Sequence, residues 1–247
     1  MHHDDTPIGR VLTRREALAV FGASGFALLA GNALGPRGRA AAHSVVPACV
    51  ARPEQTEGPY FVDEGLNRSD IRSDPSDRVL KPGVPLALAL VVSRISGRDC
   101  VALPGAQVDV WHCDADGIYS DVTDPHFQTV GHRFLRGYQL TDATGTARFT
   151  TIYPGWYPSR TVHIHFKVRT APGASGKAYA FTSQLYFEDA LTDRVHAVAP
   201  YAARGPRAIR NDGDRIFRNG GSQLVLAPTE SRDGYVASFG LGLQLDS

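Results

Sequence analysis

At 247 residues, with 43% hydrophobic and 21% charged residues and a formal net charge of +1, the chain is long enough for one sizeable core and too apolar for an intrinsically disordered one. The near-neutral balance argues against nucleic acid as a partner.

The first predicted element is a removable leader over residues 1–42. Thr13-Arg14-Arg15-Glu16 precedes an apolar run rich in Ala, Gly and Leu over residues 17–34, followed by Pro36-Arg37-Gly38-Arg39 and Ala40-Ala41-Ala42. The pattern is similar to a twin-arginine export signal, and the run is only marginally long enough to remain in a bilayer as a permanent span. Cleavage near Ala42 removes Arg10, Arg14, Arg15, Arg37 and Arg39 together with Asp4, Asp5 and Glu16, which leaves a mature net charge of −1. The expectation is an exported protein, periplasmic or secreted, without membrane contact once the signal is gone. Residues 43–247 then form one domain, with no internal repeat.

Three cysteines follow. Cys113 lies in the strand-like run Ala106-Gln-Val-Asp-Val-Trp-His-Cys113, where a buried thiol behaves as a small hydrophobe, and none of the three has zinc-site spacing. In an oxidising compartment Cys49 and Cys100 are the favoured disulfide pair.

The mature chain opens with Pro53-Glu-Gln-Thr-Glu-Gly-Pro-Tyr-Phe61, a Gly-Pro turn ending in two aromatics. Residues 84–95 read as a long buried strand, because a polar residue occurs only near the end. Further strands are predicted at 107–113, 138–141, 147–152, 163–168, 181–187, 223–227 and 235–245, with turn signals at Asp142-Ala-Thr-Gly145 and Asp233-Gly234. Helical periodicity is confined to a short turn near 189–195. The predicted class is all-β, a sandwich of mostly antiparallel strands with long active-site loops.

Chemistry concentrates in Gly155-Trp-Tyr-Pro-Ser-Arg-Thr-Val-His-Ile-His-Phe-Lys-Val168. Strand alternation puts His163 and His165 on one face, where a single cation can reach both imidazoles. Tyr157 lies in a loop that Pro158 keeps from being helical, and offers a third ligand. Upstream, Trp111-His-Cys-Asp-Ala-Asp-Gly-Ile-Tyr119 ends a strand in an Asp-Gly turn and delivers Tyr119 as the candidate fourth. His112 and Cys113 are adjacent and face opposite sides, so both are left out of the site. For each of these residues an ordinary structural role is open on local sequence alone.

The motifs together resemble the intradiol ring-cleavage dioxygenases, most closely their protocatechuate branch and exported relatives. The similarity runs in order through Thr56-Glu-Gly-Pro-Tyr60, Trp111 to Tyr119, Gly137-Tyr-Gln-Leu-Thr-Asp-Ala-Thr-Gly145, Pro154-Gly-Trp-Tyr-Pro158, Arg160-Thr-Val-His-Ile-His165 and Ser183-Gln-Leu-Tyr-Phe187. It implies a non-haem Fe(3+) held by Tyr119, Tyr157, His163 and His165. It implies also that a catechol and dioxygen are the substrates, that the ring opens between the two hydroxylated carbons to a cis,cis-muconate, and that Tyr157 yields its place to the substrate and takes up a proton. Arg160 matches an arginine that stabilises charge on the reacting ring, and Gln184 the glutamine that holds it. Tyr60 and Trp156 are expected to line the pocket. A hard trivalent cation suits phenolates, whereas ferrous oxygenases pair two histidines with a carboxylate that has no counterpart near His163 and His165.

The chain departs from many relatives in having only Pro158 and Ser159 between Tyr157 and Arg160. One wall of the pocket therefore differs, and the identity of the catechol does not carry over. A cupin-type metalloprotein also places His-x-His on a strand, but Phe166-Lys-Val-Arg169 lacks the glutamate its motif needs. The alternative from another class is an exported β-sandwich module that binds a metal or ligand without catalysis. The sequence leaves homo-oligomerisation open.

Overall fold

The computed structural model describes residues 50–245 apart from Arg98, residues 173–175 and Lys177. The predicted leader and Cys49 lie outside the described residues. Cys100 is disulfide-bonded and Cys113 is a buried free thiol.

Two sheets form the frame. In the first, β1 (Pro85–Ser96) is central: β11 (Gly234–Leu243) runs parallel to it on one side, and β2 (Asp99–Ala102) and β7 (Thr146–Ile152) pair antiparallel with successive parts of its other edge. β10 (Thr229–Ser231) extends this sheet beyond β11. The second sheet is antiparallel throughout, in the order β6 (Arg136–Leu140), β3 (Gln107–Trp111), β8 (His163–Arg169) and β9 (Ala180–Tyr186). A two-stranded ribbon, β4 (Thr123–Asp124) with β5 (Phe127–Gln128), lies within a loop. The all-β sandwich is therefore what the chain forms, with mostly antiparallel pairing.

Two sequence expectations are corrected. β1 is not buried on both faces: Leu86, Leu88, Leu90 and Val92 are buried, while Ala87 is exposed. Small alanines on the second face kept the alternation from showing as polar residues. Residues 223–227 are not a strand; a 3-10 turn over Gly221–Leu224 follows Gly220, whose φ of +87° bends the chain, and Val225 keeps only an isolated bridge to Tyr186.

The alternation of β8 sets the location of the site. Ile164, Phe166 and Val168 enter the core with Val108, Val110 and Leu185, against Leu86, Leu88, Leu90, Phe239 and Leu241 of the first sheet. Each fully buried aliphatic side chain here stabilises by about 1.5–3 kcal/mol. His163 and His165 consequently project from the other face of the second sheet. There the register places Trp111 beside His165 on one side and Gln184 beside it on the other.

Past β9 the chain forms α1 (Asp189–His196), which buries Leu191 and Val195, and a short α2 (Arg215–Arg218). No helix among the described residues is long and apolar enough to cross a membrane.

Candidate metal centre

Two irregular loops deliver the tyrosines. Beyond β3, Asp114 closes a turn: its Oδ1 accepts from the Asp116 and Ile118 amides, and its backbone carbonyl accepts from those of Gly117 and Gly155. Beyond β7, Tyr153-Pro-Gly-Trp-Tyr157 runs against this turn, backbone to backbone. Contact that close needs glycine on both sides. A Cβ on Gly117, whose φ is +75°, would lie 2.3 Å from the Trp156 carbonyl oxygen, and one on Gly155 would lie 2.4 Å from that of Ala115. Helix α1 steadies the second loop through His196, whose Nε2 donates to the Pro154 carbonyl at 3.0 Å.

The four candidate ligands converge. His163 Nε2 lies 3.0 Å from His165 Nε2, 3.2 Å from Tyr157 Oη and 3.4 Å from Tyr119 Oη. The tautomer of His163 follows from its neighbour: Nδ1 lies 2.6 Å from the Thr161 carbonyl, which can only accept, so Nδ1 bears the proton and Nε2 presents a lone pair. Tyr119, His163 and His165 are at most 2% exposed, whereas Tyr157 is half-buried next to the exposed Pro158 and Ser159.

Electrostatics fit the same donor set. Burial pushes the pKa of Tyr119 well above its ordinary value, and the neighbouring Tyr157 adds to this; burial raises Tyr157 too, against the opposing pull of Arg160. Burial drives His163 and His165 well below the ordinary histidine value, with Arg160 contributing to both. The imidazoles are therefore neutral and ready to ligate, and the phenols await a strong Lewis acid to deprotonate them. Two phenolic oxygens and two neutral imidazoles, with no thiol or thioether among them, suit a hard trivalent cation such as Fe(3+).

Arg160 stands over this cluster with Nη1 3.4 Å from His163 Nε2. Its Nη2 donates to Gln184 Oε1, whose amide nitrogen in turn donates to the Thr56 carbonyl at 2.9 Å. Burial opposes the guanidinium charge, but Tyr157 and Asp214 outweigh it and hold the pKa above its ordinary value.

The structure thus brings Tyr119, Tyr157, His163, His165, Arg160 and Gln184 together. Tyr60 joins them: its ring lies 4.6 Å from that of Tyr119, and its hydroxyl donates to Asp124 at 2.6 Å. Trp156 differs from expectation. Its indole packs on the main core beneath the Arg204 guanidinium, 4.9 Å above the ring, and belongs to a different cluster from Tyr60, Tyr119 and Tyr157. The two neighbouring side chains of the loop point apart: Tyr157 turns to His163 while Trp156 packs under Arg204.

Sequence reasoning missed Arg136 and Asp214. Arg136 is buried and ties the two sides of the pocket by donating to the carbonyls of Tyr60 and Ser120. A buried arginine opening a strand carries no local signal of that role.

Comparison with known proteins agrees with this architecture. A family model described as "Dioxygenase" matches residues 56–238. The protocatechuate 3,4-dioxygenase beta chain of Burkholderia cepacia is 35% identical over 181 residues, covering 70% of each chain. A chlorocatechol 1,2-dioxygenase of Pseudomonas putida is 28% identical over 170 residues, 58% of this chain and 58% of that protein. The chain thus spans little more than half the length of some curated relatives. Among solved structures, an intradiol ring-cleavage dioxygenase from Tetranychus urticae is 29% identical, with a TM-score of 0.68 over 79% of this chain and 95% of that one. The chain belongs to the intradiol ring-cleavage dioxygenase family.

Proposed function

We propose that this chain is a non-haem ferric dioxygenase that opens the ring of a catechol-type substrate between its two hydroxylated carbons, giving a cis,cis-muconate-type product. The observation that carries this reading is the convergence of two phenols, a second neutral imidazole and one guanidinium within 3.4 Å of His163 Nε2. The names of the relatives support it, since they act on protocatechuate, catechol and chlorocatechols. The reaction balances without an outside reductant: one carbon–carbon bond breaks, and each of its carbons gains one atom of dioxygen to become a carboxylate.

Tyr119, Tyr157, His163 and His165 would hold the iron, which when bound draws in both catechol oxygens and makes the ring reactive toward dioxygen. Tyr157 is the one of the four that is only half-buried as a residue, and it is the phenol we assign to yield its place to the substrate, its Oη accepting a proton from an incoming hydroxyl. Arg160 presents a fixed positive charge where negative charge develops on the ring oxygens, and Gln184 keeps it oriented. Tyr60 packs on Tyr119 and shields that ligand from water.

The test is oxygen uptake by the iron-loaded protein with a panel of catechols, with product identified by the mass of two added oxygen atoms. Absence of uptake with every catechol, at full iron loading, would overturn the reading. Export rests on the arginine pair and apolar run of residues 13–42; N-terminal sequencing of periplasmic or secreted protein checks it, and an intact leader there argues against it.

A further inference from the structure

Asp214 lies beyond every motif that points to the site, yet half of the cradle around Arg160 comes from it. It is 1% exposed. Its Oδ2 accepts from Arg160 Nε and from the Thr161 amide, both at 2.8 Å. Its Oδ1 accepts from the Ile216 and Phe217 amides at 2.7 and 3.1 Å, which caps α2. Asn211, three residues earlier, accepts from the Thr161 hydroxyl and donates to the Phe187 carbonyl. The turn that carries Arg160 is thereby tied down by a segment some fifty residues further along the chain. That turn needs tying, because Ser159 sits at φ +74°, a left-handed conformation costly for a residue with a Cβ.

Geometry separates the two anchors. Gln184 grips Nη2 alone, and one contact at the end of a guanidinium leaves its plane free to turn. Asp214 grips Nε, so together they fix the plane and leave Nη1 directed at the ligand cluster. We infer that Asp214 is a positioning residue for the ring-opening reaction, acting through Arg160. The carboxylate is not replaceable by an amide, since both of its oxygens accept, and an asparagine nitrogen would meet an N–H on one side or the other. The inference rests on the ring-cleaving reading above.

The experiment is a double-mutant cycle in the iron-loaded protein with Asp214→Ser and Arg160→Ala, serine being chosen because it retains a helix-capping oxygen. Asp214→Ser should lower kcat by about 10- to 100-fold with KM for the best catechol within about threefold, and iron content unchanged. In the Arg160→Ala background the same change should cost less than about twofold, because the residue it acts through is gone. Hydrogen exchange of the peptide containing Thr161 should quicken by about tenfold or more. Additive losses in the cycle, or a KM effect without a kcat effect, overturn the inference, and so does unchanged exchange at Thr161. If Asp214→Ser does not fold, Asp214→Asn, which keeps one accepting oxygen, is read by the same criteria. Should wild-type protein consume no oxygen with any catechol, the ring-cleaving reading falls, and with it a role for Asp214 in that reaction; the exchange measurement then decides only whether it holds the arginine turn.

Discussion

The indole of Trp111 lies flat against the imidazole of His165, ring centroids 5.0 Å apart and planes 8° from parallel. His165 Nδ1 is buried with no hydrogen-bond partner among the described residues, so this ring, unlike that of His163, is oriented by packing. Phe61 backs Trp111 at 4.8 Å, and Lys167 Nζ lies 4.2 Å from the centre of the Phe61 ring.

Removing the stack should therefore loosen one of the four proposed ligands. Trp111→Leu is expected to lower iron affinity by about 10-fold or more, the range seen when the support of a ligating histidine is removed, whereas Trp111→Phe should retain most of it. Iron retention during dialysis against a chelator measures both. Equal retention in wild type and Trp111→Leu would show that the stack does not orient His165.

Tyr157 and Arg160 should fail differently when changed. Tyr157→Phe removes a phenolate, so the visible tyrosinate-to-iron absorption should shift and substrate binding should slow. Arg160→Ala leaves all four proposed ligands and should keep iron and colour while losing about 2–4 kcal/mol of transition-state stabilisation, or about 30- to 1000-fold in kcat. Spectra and oxygen uptake on the two variants check the assignment, and a colourless Arg160→Ala beside an unchanged Tyr157→Phe would reverse it.

The close contact of the two tyrosine loops predicts a sharp sensitivity at Gly117. Gly117→Ala combines a positive φ with a clash against a carbonyl oxygen, and is expected to cost about 2–4 kcal/mol of stability and to reduce iron occupancy. Gly97→Ala is the control: its φ is also positive, at +60°, but nothing lies within 4 Å, so about 1 kcal/mol is expected and no effect on iron. Thermal melts and metal analysis distinguish the two.

His112 predicts a pH dependence of stability. Its Nδ1 donates to the Cys113 carbonyl and its Nε2 accepts from the Thr151 hydroxyl, so both ring nitrogens are satisfied in the neutral form. Burial, with a smaller contribution from Arg136, lowers its pKa from 6.5 to about 4. Between these values the unfolded chain binds a proton that the folded chain does not. The stability associated with neutral His112 is complete above pH about 6.5 and is lost as pH falls toward about 4, by on the order of 3 kcal/mol. Urea unfolding at several pH values should show a flatter profile across this window in His112→Gln than in wild type.

Alternation on β8 was enough to read His163 and His165 as a pair, because a strand that gives one face to the hydrophobic core keeps its other face for polar groups. That Tyr119 and Tyr157 meet was legible only through the family motifs. Its physical cause, backbone contact at Gly117 and Gly155, depends on two loops far apart in sequence. Trp156 misled because adjacency to a ligand says nothing about which way a loop side chain turns. Asp214 was invisible for a related reason: an aspartate before a short helix is an ordinary capping signal, and its second oxygen finds Arg160 only after the chain has folded.

The parallel pairing of β1 with β11, in register from Leu86 with Tyr235 to Arg94 with Leu243, joins two strands that lie far apart along the chain. While β11 is still inside the ribosome, the neighbouring edge of β1 has no such partner and the first sheet is incomplete. Closure of this non-local pair is a slow kind of folding step. A nascent chain stalled before residue 234 would thus expose an unpaired strand edge to other chains, so the aggregation risk carried by β1 persists until its distant partner has been made.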